Sequence, residues 1–134
     1  MSVPKPQRSV SEMEFIRNAR ELQIFTIRKC KKFPTRFSFY VSIPLANASM
    51  RVYEYVKRGN SINPANQHEV QMRRDCFLKA NAELYSIISQ IEVAEELFGL
   101  NKDMMREWTS LVDREIALVK GAMDSDKRRY KNLP

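Results

Sequence analysis

The chain of 134 residues has the length of one domain with a core of its own, and its apolar content of 43% is ordinary for a globular protein. Only three glycines occur, which excludes the many tight turns of a strand-rich domain and points to an all-α fold. The net charge of +7 indicates a basic surface, for which nucleic acid is the usual partner; a soluble protein with solvated basic helices is the plainer alternative.

The N-terminal segment, residues 1–8, carries two prolines and two basic residues and is predicted to be a disordered arm. Two overlapping S-x-x-E capping boxes, the first at Ser9, predict that the first helix begins there. Its end, before Pro34, is strongly basic. Cations at a helix C-terminus also complement the helix dipole by about 0.3–1 kcal/mol each, so part of this charge has a structural explanation.

A second helix is predicted from Thr35, with one apolar stripe that runs from Phe37 to Tyr55. Pro44 lies inside this stripe, and an interior proline costs about 3 kcal/mol and kinks or breaks a helix. Because the stripe continues in phase across the proline, we predict a kink. Gly59 is a typical residue to follow the end of this helix.

The third helix is predicted to carry an apolar seam whose residues are spaced by three and four positions. The seam consists of Phe77, Ala80, Leu84, Ile87, Ile91, Ala94 and Phe98. A second stripe beside it runs through Leu78, Ala82, Tyr85, Ile88 and Leu97. A face this wide is typical of an inner bundle helix that touches two neighbours.

Asn101 is predicted to cap the fourth helix, whose apolar stripe includes Trp108. These helices define a bundle over residues 9–126, followed by a basic C-terminal tail at 127–134. Four helices with short connections predict an antiparallel up-down-up-down four-helix bundle with a kinked second helix.

This topology brings the end of the second helix, the start of the third and the C-terminal tail to one end of the bundle. The nucleic-acid-binding residues predicted there are Lys57, Arg58, Arg73, Arg74, Lys127, Arg128, Arg129 and Lys131. A secondary basic cluster, near acidic Glu92, Glu95 and Glu96, is predicted at the opposite end. It consists of Arg28, Lys29, Lys31, Lys32 and Arg36. The sequence leaves open which end contacts the ligand.

No catalytic or cofactor-binding motif is present. His68 is the only histidine, and Cys30 and Cys76 lack metal-ligand spacing, so we predict no enzyme, no cofactor and no metal site. The cysteines are expected to be free thiols in a reducing cytoplasm rather than a disulfide. No signal peptide is visible, and no apolar stretch is long enough to span a bilayer. Trp108 is either a base-stacking or a core residue, with the core favoured, and Tyr130 is either a stacking candidate or a frayed tail residue.

Several short motifs, in their order and spacing, resemble a four-helix-bundle superfamily. It includes the proteins encoded in intervening sequences of 23S ribosomal RNA genes and the accessory variability determinant (Avd) of diversity-generating retroelements. The likeness spans residues 20–130 and includes the Phe33-Pro34 turn and Val41-Ser-Ile-Pro44, which resembles the rRNA-associated branch. Trp108-Thr-Ser-Leu111 and the following Lys-Gly and Ser-Asp-Lys-Arg motifs look closer to the Avd-like branch.

The resemblance implies a homopentameric ring with a basic surface that binds RNA or DNA with low sequence specificity. For the Avd-like branch it also implies a complex with a reverse transcriptase, which copies a template RNA with adenine-directed errors into a variable gene. Two alternatives stay open. One is a bundle associated with rRNA or ribosomes, and the other is a structural oligomer whose basic face docks an acidic protein.

Overall fold

The computed structural model describes the backbone of residues 4–134 and the side chains of residues 14–134. Its four α-helices are α1 (Pro4–Cys30), α2 (Ile43–Ser61), α3 (Gln67–Phe98) and α4 (Lys102–Arg129). A 3₁₀ turn (Thr35–Phe37) and a π-helical turn (Ser38–Ser42) precede α2. No strand occurs in residues 4–134, so the all-α prediction is confirmed.

The first and last helices are longer than predicted. Helix α1 begins at Pro4 rather than at Ser9, so residues 4–8 of the predicted arm are helical, whereas residues 1–3 lie outside the described residues. Prolines fit the first turn of a helix because its amide groups have no intrahelical acceptor. Helix α4 continues to Arg129 and therefore includes the first part of the predicted tail.

The helices pack as a four-helix bundle in which each one contacts two neighbours: α1 and α3 both pack against α2 and α4. The predicted seam of α3 is buried from Phe77 to Ala94, which confirms the helix phase. Most of the second stripe stays at the surface, because Leu78, Tyr85 and Leu97 are 42%, 54% and 49% exposed, whereas Ile88 packs against the core. One bundle therefore leaves much of the second apolar stripe of α3 uncovered.

Pro44 lies in the first turn of α2 and not in the interior of a longer α-helix, because α2 begins at Ile43. In the preceding π-helical turn, the N–H of Ile43 donates to the carbonyl oxygen of Ser38. The missing N–H of a proline costs little in a first turn. The predicted stripe nevertheless keeps its phase, since Val41 before the proline and Leu45 after it are both fully buried.

Side-chain caps and one glycine define the ends of the later helices. The Asn101 side chain accepts a hydrogen bond from the N–H of Met104 at 3.0 Å, which confirms the predicted cap of α4. Asn66 caps α3 in the same way through the N–H of Glu69, at 2.9 Å. Gly99 follows α3 with a φ of 72°, a conformation that residues with a Cβ rarely adopt.

Candidate nucleic-acid interface

Arg73, which we predicted as a phosphate contact, is only 4% exposed. Its Nε donates to Oδ2 of Asp126 at 2.7 Å. Its Nη1 donates to the carbonyl oxygens of Gly59 and Ile62 at 3.1 and 3.2 Å. The guanidinium therefore connects α3 to α4 and to the end of α2. This buried, paired geometry gives Arg73 a structural role and corrects its placement among the solvent-facing cations.

The C-terminal tail docks on the start of α3. The backbone N–H of Gln67 donates to the carbonyl oxygen of Pro134 at 2.8 Å, and its side-chain Nε2 donates to the carbonyl oxygen of Tyr130 at the same distance. The half-buried ring of Tyr130 lies 5.9 Å from the guanidinium of Arg73 and 5.7 Å from that of Arg129. Tyr130 is thus anchored by two cations and by backbone contacts rather than frayed.

Together, these contacts bring three basic segments to one end of the bundle: the end of α2, the start of α3, and the end of α4 with the tail. We call the cations there the tail-end surface, which consists of Lys57, Arg58, Arg74, Lys127, Arg128, Arg129 and Lys131. All of them are exposed except Arg74, which is half-buried. The structure thus gathers the predicted site residues, with Arg73 beneath them.

The secondary basic cluster surrounds the end of α1. Within this cluster, Lys29 is half-buried and the other four cations are exposed. None of the five forms an ion pair with any side chain of residues 14–134. The Lys29 ammonium lies 5.0 Å from the centre of the Phe25 ring, and the Arg36 guanidinium lies 5.2 Å from that of Phe37. Most of this positive charge is therefore available to solvent.

An aromatic cluster joins this basic end to the end of α3. The rings of Phe33 and Phe37 lie 4.9 and 5.1 Å from that of Phe98. The end of α3, which carries Glu92, Glu95 and Glu96, therefore lies at the same end of the bundle as the secondary basic cluster. One of these glutamates, Glu95, uses its carboxylate to accept a hydrogen bond from the N–H of Leu100.

Sequence reasoning missed the most exposed aromatic residues of the molecule. Phe39 and Tyr40 are 82% and 77% exposed on the π-helical turn, directly after the secondary basic cluster. Both lie between Phe37 and Val41, two residues of the predicted apolar stripe. Because neither residue belongs to the stripe, the sequence pattern alone could have indicated that both rings face solvent. Trp108, by contrast, is fully buried, and its Nε1 donates to Oγ1 of Thr26 at 3.0 Å, which confirms the core interpretation.

A second buried polar contact joins α1 to α4. Glu115 is fully buried, and its Oε1 accepts a hydrogen bond from Nδ2 of Asn18 at 3.0 Å. Its Oε2 has no hydrogen-bond partner among the described atoms. Burial raises the pKa of this carboxyl to about 8, although the Asn18 hydrogen bond and the charge of Arg114 oppose the rise. The group therefore holds its proton around neutral pH.

Both cysteines are free, and burial raises the pKa of the Cys30 thiol to about 12. Within the described part of the chain, no three His, Cys, Asp or Glu side chains come together as a set of metal ligands. None of the helices in that part has an apolar run of the length that a bilayer crossing requires.

In comparisons with known proteins, no family model, curated protein or solved structure matches this chain.

Proposed function

We propose that this protein is a non-catalytic, nucleic-acid-binding accessory subunit. One observation carries the proposal: the contacts of Arg73 and Gln67 gather cations from three separate segments into the tail-end surface. Arginine and lysine side chains that contact phosphates position a nucleic acid without reading its sequence. Binding is therefore expected to be broad and to include both RNA and DNA.

The proposal includes an antiparallel up-down-up-down order of the helices. The contacts between α1 and α4 support it, because Glu14 pairs with Arg114 whereas Thr26, later in α1, bonds to the earlier Trp108. A change of direction at Pro44 is also part of the proposal. It is supported by the switch from π-helical to α-helical hydrogen bonding at Ile43.

Given the resemblance of its motifs, we assign the protein an Avd-like role in the cytoplasm, as a partner of a reverse transcriptase in the mutagenic retrohoming of a diversity-generating retroelement. We expect a closed homo-oligomer of five subunits. The exposed second stripe of α3, with Leu78, Tyr85 and Leu97, supports this because it offers apolar surface for subunit contacts. A ring would also repeat the tail-end surface and multiply its phosphate contacts.

The test is a salt titration of RNA and DNA binding. If the assembly engages about 6–10 phosphates, its affinity should fall by about 10³–10⁵ between about 50 and 200 mM salt. The double variant Lys57→Glu and Arg58→Glu should weaken RNA and DNA binding alike and flatten this dependence. The matched control is Arg17→Glu with Lys120→Glu, since both are exposed cations in the middle of their helices.

A second arm tests the opposite end with Lys31→Glu and Lys32→Glu. If only this second variant abolished duplex binding, the tail-end surface would be the wrong site. If wild-type protein bound neither RNA nor DNA, the proposed function would fall. An rRNA-associated bundle is distinguished by its genomic setting, because an Avd-like gene is expected beside a reverse transcriptase gene and a variable repeat.

A further inference from the structure

Phe39 and Tyr40 present two neighbouring aromatic rings to solvent and have the highest exposed fractions of the large apolar side chains in the described residues. The backbone beneath them is fixed on both sides. Val41 is fully buried, and the ring of Phe37 stacks on that of Phe98 with an interplanar angle of 28°. The turn that carries the two rings is therefore held in place by the packing of Phe37 and Val41. Because exposed aromatic surface is costly in water, an anchored pair of this kind is a candidate binding site.

The charge around this turn favours a polyanion as the ligand. Residues 22–53 contain six basic residues and no acidic residue. One of the six, Arg51, pairs with Glu83 at 2.8 Å, and the other five are the secondary basic cluster. The glutamates at the end of α3 lie at the same end of the bundle, so we expect a polyanion to run along α1, away from them. A two-fold contact between copies of the chain here would instead bring like charges together.

We propose that Phe39 and Tyr40 stack on the bases of a single-stranded nucleic acid while the secondary basic cluster holds its phosphates. Stacking on aromatic side chains requires bases with a free face, which a single strand offers and the interior of a duplex does not. The inference rests on the proposed function and adds a second site with its own substrate class. The tail-end surface binds phosphates of any strand, whereas this turn selects unpaired bases.

The experiment measures binding of an oligothymidylate of about 12 nucleotides, a length within the range of known single-strand sites, and of a duplex of equal length. The double variant Phe39→Ala and Tyr40→Ala should weaken single-strand binding by at least about 30-fold, the size expected from the loss of two base stacks. Duplex affinity should change by less than about twofold, because phosphate contacts are unaffected. Both side chains are exposed, so the fold should persist.

Two controls separate stacking from other effects. The ring-preserving variant Phe39→Tyr with Tyr40→Phe should keep the wild-type affinity for the single strand. Met50→Ala removes another exposed apolar side chain, on α2, and should leave both affinities unchanged. Phe39→Trp gives a direct signal, since a base that stacks on the new indole should quench its fluorescence.

Two results would overturn the stacking proposal while the proposed function survives. One is unchanged single-strand binding by the alanine variant together with weakened binding by Lys57→Glu and Arg58→Glu. The other is an altered mass of the alanine variant in light scattering, which would make the rings a subunit contact. If the wild-type protein binds neither probe, the proposed function fails and this inference fails with it.

Discussion

Arg73 of α3 and Asp126 of α4 form an ion pair with 2.7 Å between Nε and Oδ2, and their side chains are only 5% and 8% exposed. The remaining donors of the guanidinium reach backbone carbonyls at the end of α2, so the pair is hydrogen-bonded as well as charged. A buried pair of this kind fixes the relative position of its elements, because separating the partners would leave charges in the protein interior. The exposed cations of the tail-end surface are arranged around this contact.

Truncation of Arg73 is therefore expected to destabilise the protein rather than to affect only its ligand binding. Arg73→Ala should lower the free energy of unfolding by about 3–5 kcal/mol, because Asp126 is left as an uncompensated buried charge. The neighbouring Arg74→Ala, whose side chain has no such partner among residues 14–134, should lose less than about 1 kcal/mol. Urea denaturation of both variants tests this. Equal losses of unfolding free energy in the two variants would show that the ion pair with Asp126 does not stabilise the fold.

The apolar seam of α3 contributes Phe77, Leu84, Ile87 and Ile91 to the large, fully buried side chains of the core. Leu84→Ala or Ile91→Ala should cost about 2–5 kcal/mol, the usual range for large-to-small changes at buried positions. Ser86→Ala, at an exposed position of the same helix, should stay within about 0.5 kcal/mol. Thermal melts that give the same shift at all three positions would contradict the helix phase described above.

Glu115 should make stability fall as pH rises. Its pKa of about 8 in the folded protein exceeds its ordinary value of 4.5, so between these values the folded chain holds a proton that the unfolded chain has released. The free energy of unfolding should therefore decrease by up to about 1.4 kcal/mol per pH unit in this window, and this contribution should level off above pH 8.

Glu115→Gln removes this titration but keeps an oxygen that can accept the hydrogen bond from Asn18. Its stability should depend less on pH than that of the wild type when urea midpoints are compared across the same window. Glu107→Gln, at an exposed position, is the control and should keep the wild-type dependence. If the stability of the Glu115 variant depended on pH as steeply as that of the wild type, another group would be responsible for the titration.

Gly59 is expected to tolerate no side chain. A Cβ built there would lie 2.7 Å from Cε1 of Phe77, whose ring is fully buried. Gly59→Ala should therefore destabilise the protein by about 1–3 kcal/mol, as overpacked cores do. Gly121→Ala is the matched control, because no atom of the described residues outside its own turn of helix lies within 4 Å of its Cβ, and the higher helix propensity of alanine should add up to about 1 kcal/mol. In differential scanning calorimetry, Gly59→Ala should lower the melting temperature and Gly121→Ala should raise it.

The sequence predicts what depends on local periodicity and capping, and it misses what depends on distant partners. The α3 seam and the Asn101 cap follow from spacing alone. The burial of Glu115 and Asp126 on the core face of α4 does not, since their partners Asn18 and Arg73 lie on other helices. An acidic residue looks solvated until its donor is known.

The same reasoning applies to the start of the second helix. The continuous apolar stripe predicts one helix with an interior proline, but it carries no information about hydrogen-bond register. The π-helical turn at Ser38–Ser42 changes that register just before the proline and places Pro44 in the first turn of α2. Two adjacent arginines present a similar difficulty. Arg73 and Arg74 are alike in sequence, and only the folded chain shows which of them is buried in an ion pair.

The contact between α1 and α4 also bears on the order in which the bundle assembles. Asn18 and Glu115 are 97 residues apart in the chain, whereas α2 and α3 are separated only by residues 62–66. Closing a long segment costs more chain entropy than closing a short one, so α2 and α3 should pair early and α1 should dock on α4 late. Native-state amide hydrogen exchange should then be slower in α2 and α3 than in α1, whose contact with α4 closes the longest segment.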